Sequence, residues 1–165
     1  MKPNGHAKKY LGGIIQKYNK GWCKHGGAYV QWADINGDGR ADLICDDSKG
    51  NHWIKLSHIG TNKKDKFENL GHVVQGFCGH GHGARTQWAD INGDGKADML
   101  CDDNHGRHWA MLSLGDGRFK NAGAYATGWC GHPGSVVRHV DINGDGKADL
   151  VCDDIHGSHW ARLIA

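Results

Sequence analysis

A chain of 165 residues with 27 Gly and only 2 Pro has room for one compact unit, and its many turn residues argue against a helical one. Its formal charge of +2 carries no continuous basic stripe, which argues against nucleic-acid binding, and no apolar run reaches the roughly 20 residues of a membrane-spanning helix. Met1 to His6 does not read as a signal peptide, so a mature chain without membrane insertion is expected.

Three internal repeats account for nearly all of the sequence: residues 10–57, 67–113 and 119–165, within a single domain 1–165. Each opens with an aromatic and Gly-rich segment that runs into Gly-Trp22-Cys23-Lys24-His25, Gly-Phe77-Cys78-Gly79-His80 or Gly-Trp129-Cys130-Gly131-His132. A strand-like stretch comes after it, at Ala28 to Trp32, Gln87-Trp88 and Val136 to Val140. Next come an acidic loop, an Ala-Asp-apolar-apolar-Cys-Asp-Asp strand, a turn at Gly50, Gly106 or Gly157, and a last strand beginning His52-Trp53, His108-Trp109 or His159-Trp160. The stretch His58 to Asn69 is polar and reads as a linker. About four short strands per repeat predict an all-β fold in pseudo-threefold arrangement, a miniature propeller, with a β-trefoil as the alternative.

The acidic loop is the most informative motif. It places Asp34, Asn36, Asp38 and Asp42 at its first, third, fifth and ninth positions, with Gly37 and Gly39 between them and Arg40 at the seventh. The second copy repeats this with Asp90, Asn92, Asp94, Lys96 and Asp98, and the third with Asp141, Asn143, Asp145, Lys147 and Asp149. Alternate residues of such a turn point inward, and Arg40, Lys96 and Lys147 can offer only a backbone carbonyl. Three carboxylates, an amide oxygen, a carbonyl and a water suit Ca²⁺, so about three calcium ions are expected. Mg²⁺ keeps more of its water and Zn²⁺ prefers nitrogen or sulfur. The loop differs from an EF-hand, because its twelfth position holds Cys45, Cys101 or Cys152 and the residues around that cysteine read as a strand, not as an exiting helix.

Six cysteines, two per repeat at matching spacing, favour three disulfides within repeats, although six allow fifteen pairings and buried free thiols are the alternative. Disulfides and calcium loops together predict a secreted, extracellular protein. A Cys-x-His zinc site competes with the disulfides for the same thiolates.

These residues resemble the FG-GAP/VCBS repeats of integrin-type and lectin-type β-propellers, on the motif Asp-Ile-Asn-Gly-Asp-Gly-Lys-Ala-Asp-Leu. The small size, the Cys-containing repeats and the His-Trp pairs look similar to a galactose-binding lectin of sea anemones. Alternation along the last strand puts His52, Ile54 and Leu56 on one face and Trp53, Lys55 and Ser57 on the other, with the aliphatic face as core. Trp53, Trp109 and Trp160 then lie among polar neighbours, where an indole can stack on a sugar ring. Asp46, Asp47, His52, Asp102, Asp103, His108, Asp153, Asp154 and His159 are the expected partners of its hydroxyls. Trp22, Trp32, Trp88 and Trp129 are expected to pack between units. The expected function is a multivalent calcium-dependent lectin for terminal galactose, not an enzyme, binding glycans and pairing as a homodimer. A protein-binding adhesion module and a calcium-dependent hydrolase are the alternatives.

Overall fold

The computed structural model describes residues 16–165, so the opening of the first repeat at Tyr10 and the Lys8-Lys9 pair lie outside the described residues. Among the described residues, eleven strands form three separate antiparallel sheets. The first holds β1 (Ala28–Ala33), β2 (Asp42–Asp47), β3 (His52–Ser57) and β4 (Phe67–Val74) in that order. The second holds β5 (Arg85–Ala89), β6 (Asp98–Asp102), β7 (His108–Ser113) and β8 (Phe119–Ala126). The third consists of β9 (Val136–Val140), β10 (Asp149–Asp153) and β11 (His159–Arg162). Each sheet is a plain up-and-down meander, the form of a propeller blade, and the three succeed one another in a propeller-like row with β1 beside β5 and β5 beside β9. The trefoil alternative does not match this layout.

Sequence repeats and sheets are out of phase by one strand. Phe67–Val74, which opens the second repeat in sequence, pairs with β3 as the outer strand of the first blade, and Phe119–Ala126 does the same beside β7. Two register shifts in each of these pairings make β4 and β8 bulged strands. The residues skipped in β4 are Leu70 and Val73, and both pack on the core made by Ile35, Ile44, Ile54 and Leu56.

The central strands are the most deeply buried: every residue of β2 and of β6 is buried. β3 shows most of the expected alternation, with His52, Ile54 and Leu56 inside and Trp53 and Lys55 half-exposed, although Ser57 is buried too; β7 begins in the same way, and β11 is exposed at every residue. Cores are shared across blades, since Trp88 and Phe119 of the second blade pack on the first core, and Ile164 of the third packs on Ile91, Leu100 and Ala110.

All six cysteines form disulfides within repeats: Cys23–Cys45, Cys78–Cys101 and Cys130–Cys152. Cys23, Cys78 and Cys130 lie in the left-handed region, with φ of 62°, 66° and 57°, an unfavourable state for a side chain with a Cβ. Covalent attachment to the central strand holds each turn there, and in the second and third blades this places the next residue against the preceding blade.

The joint between blades is built twice from the same contacts. The Phe77 N–H donates to the Gly50 carbonyl at 3.2 Å, and the Trp129 N–H to the Gly106 carbonyl at 3.2 Å. Acidic loops join as well: Ala97 N–H donates to the Asp34 carbonyl at 2.8 Å and Ala148 N–H to the Asp90 carbonyl at 2.7 Å. Gly79 and Gly131 lie so close to the preceding blade that a Cβ would come within 2.3 Å of the Lys49 carbonyl group and 2.6 Å of the Gly106 nitrogen. Replacing Gly131 by Ala is therefore expected to lower stability by about 1–3 kcal/mol in urea unfolding. Gly26→Ala, which meets nothing within 4 Å, should stay within about 0.5 kcal/mol of the parent in the same measurement.

Candidate functional site

Each acidic loop is folded by its own first aspartate. Asp90 Oδ1 accepts the N–H of Gly93 at 2.8 Å and of Asp94 at 3.2 Å, while its Oδ2 accepts the N–H of Gly95 at 2.8 Å. Asp34 and Asp141 do the same in their loops. Asn92 and Asp94 each accept the N–H two residues on. Gly93 and Gly95 supply the positive φ values of 76° and 84° that this wrapping requires. The ninth-position aspartates, Asp42, Asp98 and Asp149, are completely buried and tie the loop to the end of the third strand. Asp98 accepts the N–H of Ile91 at 3.0 Å and of Ser113 at 2.8 Å.

Carboxylate oxygens of Asp90, Asp94 and Asp98 lie within 4.8 Å of one another, and so do those of Asp141, Asp145 and Asp149. Asp34, Asp38 and Asp42 of the first loop do not form such a group, and Asp38 instead reaches the Arg40 guanidinium at 3.3 Å. Burial pushes the Asp98 carboxyl up to about 6, and the neighbouring Asp94 and Asp90 add to the shift against its backbone hydrogen bonds. Burial raises Asp42 in the same way. Such carboxylates are poised to accept a hard cation, because a bound ion offsets the lost solvation that chiefly raises them and the repulsion that adds to it. The residues present fit a divalent ion with oxygen ligands.

The Asp-Asp pairs do two different jobs. The first member lies inside the joint between blades: Asp46, His52 and His108 are fully buried, and Asp102 is nearly so. Nδ1 of His52 is 2.6 Å from Asp46 and its Nε2 is 2.8 Å from the Phe77 carbonyl of the next blade. His108 repeats this with Asp102 at 2.6 Å and the Trp129 carbonyl at 2.8 Å. The other oxygen of Asp46 accepts Gln31 and the Trp88 indole N–H at 2.8 and 3.0 Å. That of Asp102 meets Gln87 and His139 at 3.0 and 2.9 Å. His139 thus takes the place of Trp88 as the partner of the preceding blade's aspartate. With every polar atom engaged and almost no accessible surface, Asp46, His52, Asp102 and His108 hold the joint instead of facing a sugar, which differs from the sequence expectation. In the third blade the equivalent pair, Asp153 and His159 at 2.6 Å, reaches the surface.

The second member sets a different histidine against the tryptophan. Asp47 lies 3.1 Å from His25, Asp103 3.0 Å from His80 and Asp154 3.4 Å from His132. These imidazoles stand edge-on to Trp53, Trp109 and Trp160 at 5.1, 5.0 and 5.5 Å between ring centres. Although burial acts to raise it, hydrogen bonds from Asn51, His25 and Lys49 bring Asp47 down to about 2. Sequence reading missed His25, His80 and His132 as members of this cluster. The signal was present, as each lies two residues after the first cysteine of its disulfide.

The three clusters differ in access. His72 of β4 stacks on Trp53 at 5.0 Å and 24°, covering part of one indole face. Its counterpart opposite Trp109 is Ala124, and there a cleft of about 430 Å³ opens between Phe77, His80, the Cys78–Cys101 bridge, Trp109 and Gly123. The Arg107 guanidinium lies 5.4 Å from the centre of the Trp109 ring and bonds Asp103 at 2.8 Å. Trp160, on a strand with no fourth neighbour among the described residues, is 47% exposed.

Residues 90–152 match the FG-GAP-like repeat family. This range includes the second and third acidic loops and both of their carboxylate clusters. No curated protein matches the chain. Among solved structures, a lectin of Agrocybe aegerita that recognises non-reducing terminal N-acetylglucosamine superposes with a TM-score of 0.56 at 24% identity, over 82% of this chain and 38% of that one. The Tc holotoxin pore of Photorhabdus luminescens superposes with a TM-score of 0.60 at 16% identity, over 86% of this chain and 6% of that one. The chain therefore spans little more than a third of the lectin and a small part of the toxin, and the likeness is one of fold.

The buried pair at the second joint sets a pH window. Burial opposes ionisation of Asp102, but hydrogen bonds from His108 and His139 outweigh it and hold the carboxyl below its usual range. Its contribution to stability is present above about pH 4, the unfolded value, and is lost as pH falls through the folded one. Burial likewise disfavours charge on His108, yet its bond to Asp102 raises it above the usual imidazole value. That contribution is full below about pH 6.5 and is lost as pH rises through the raised value. His108→Gln should flatten the alkaline fall in melting temperature while leaving an acid limb, and Asp102→Ala should cost about 3–5 kcal/mol near neutrality.

Proposed function

We propose that this chain is an extracellular, calcium-dependent lectin that binds terminal sugars, galactose first among them, in shallow clefts on the tryptophan side of each blade. The observation that carries the reading is the second-blade cleft, where Trp109 presents an indole beside His80 and the cystine, in about 430 Å³ of half-open space. An aromatic face flanked by fixed hydrogen-bonding groups suits a pyranose, whose axial C–H groups stack while its hydroxyls are bonded. Asp103 positions His80, which lines the cleft, and holds Arg107 beside the Trp109 ring. Trp53 with His25 and Asp47, and Trp160 with His132 and Asp154, form the corresponding sites. The solved lectin that shares the fold supports sugar binding and names N-acetylglucosamine as the sugar to set against galactose.

Calcium is assigned to the three acidic loops, one ion each, with Arg40, Lys96 and Lys147 contributing their carbonyl oxygens. Each ion would lock its loop and, through Asp42, Asp98 or Asp149, the end of the strand that carries the tryptophan. Three disulfides support a place outside the cell. Weak single sites become useful through repetition along the chain and through pairing of two copies, so that cells bearing the sugar are agglutinated.

Passage over immobilised galactose, with an N-acetylglucosamine column in parallel, tests the sugar. Retention with release by the free sugar is expected, and passage through both columns would sink the reading. Trp109→Ala should weaken retention at least tenfold while the far-ultraviolet spectrum is unchanged. For the metal, titrating Ca²⁺ into chelator-stripped protein should release or absorb heat with about three ions bound and raise the melting temperature. Asp94→Asn should lower the affinity of one site and leave the others.

A further inference from the structure

The two ends of the blade row carry the two halves of the joint that is made twice inside the chain. At the trailing end the third blade keeps the Asp153–His159 pair, with the His159 side chain 66% exposed, where Asp46–His52 and Asp102–His108 are covered by the next blade. Ile155 beside it is 73% exposed, and no described residue takes up the Gly157 carbonyl as Phe77 and Trp129 take up those of Gly50 and Gly106. At the leading end the first blade presents Gly21-Trp22-Cys23 in the same left-handed turn as Gly76-Phe77-Cys78 and Gly128-Trp129-Cys130. It also presents Trp32, 55% exposed, at the position from which Trp88 donates to Asp46. The N–H of Ala41, equivalent to the donors Ala97 and Ala148, has no backbone partner among the described residues outside the sheets.

Two residues depart from this match: on the trailing face Arg138 stands where Gln31 and Gln87 bond the joint aspartate, 3.6 Å from Asp153, and on the leading face the departure is steric. The position after the cysteine is Gly79 in the second blade and Gly131 in the third, and both pack against backbone of the preceding blade with no room for a Cβ. In the first blade the same position is Lys24, which is exposed. We propose that Lys24 stops copies of this chain from joining end to end: it closes the leading face to a second copy's trailing face, which carries the Asp153–His159 pair and the Gly157 carbonyl of the joint. The occupant that the trailing face fits is thus a blade with Gly after its first cysteine, and this chain with Lys24→Gly supplies one. Any pairing of unmodified chains uses a face other than these two ends.

The test is the mass of the 165-residue chain and its variants by sedimentation equilibrium over about 1–100 µM, a span that covers dissociation constants typical of weak to moderate association. Lys24→Gly is expected to self-associate at least tenfold more tightly than the unmodified chain, and His159→Ala in that background should abolish the gain. Lys24→Ala should behave as the unmodified chain, because a Cβ alone fills the space, and this separates a steric block from loss of the lysine charge. The proposal is overturned if Lys24→Gly keeps the parental mass at all concentrations, if Lys24→Ala associates as Lys24→Gly does, or if His159→Ala lowers the mass of the unmodified chain. Unchanged melting curves show that each variant is folded, and sugar retention is read separately, so failure here leaves the lectin assignment standing.

Discussion

A buried aspartate–histidine pair holds each blade to the next, and the rest of the molecule is arranged to make that pair stable. Moving an ion pair out of water costs several kcal/mol per ion unless the remaining lone pairs and protons are satisfied. Here they are. Asp102 is met by His108, Gln87 and His139, and the far nitrogen of His108 meets the Trp129 carbonyl, so every bond that stabilises the pair also ties a neighbouring strand or the next blade. The same polar contact therefore supplies direction that an apolar joint would lack, because it is complete only at one relative placement of the two blades. Apolar contacts around Ile54 and Leu100 add area, and the histidine fixes the register.

The acidic loops and the joints are mechanically linked. Asp98 closes its loop through the Ile91 N–H and holds the last residue of β7 through the Ser113 N–H, while Ser113 Oγ donates to the Ile35 carbonyl of the first blade at 2.7 Å. An ion that draws Asp90, Asp94 and Asp98 together would thereby steady β7, on which His108 faces the joint and Trp109 faces the cleft. Adjacent residues of one strand point to opposite sides, so a single loop can support both the assembly of the row and the exposed indole.

Much of this was legible in the sequence, for a physical reason in each case. Strands were visible where one face is apolar, as in His52, Ile54 and Leu56, and the disulfides where cysteine spacing repeats. The acidic loop was visible because its chemistry is local to nine residues. The features that escaped depend on contacts between blades. Nothing in residues 67–74 says that they extend the preceding sheet, since a strand's partner is set by the turn geometry before it, here the long connection from His58. Nor does the sequence say which aspartate of a pair meets the next blade. Asp102 and Asp103 are both buried, and it is the arrival of the next blade that engages Asp102 through His139 and leaves Asp103 to orient His80.

Because the backbone repeats so closely, the differences between blades rest on single side chains. His72 opposite Trp53, Ala124 opposite Trp109 and, among the described residues, no strand beyond Trp160 give three indoles of unequal access on the same scaffold. His139 in place of Trp88 puts an imidazole where the first joint has an indole as the partner of the preceding blade's aspartate. Lys24 stands exposed at the position where Gly79 and Gly131 of the other blades pack against the preceding blade. A repeat fixes the features that its units share, here the acidic-loop geometry and the joint; selectivity and the limits of assembly must come from positions where the copies disagree.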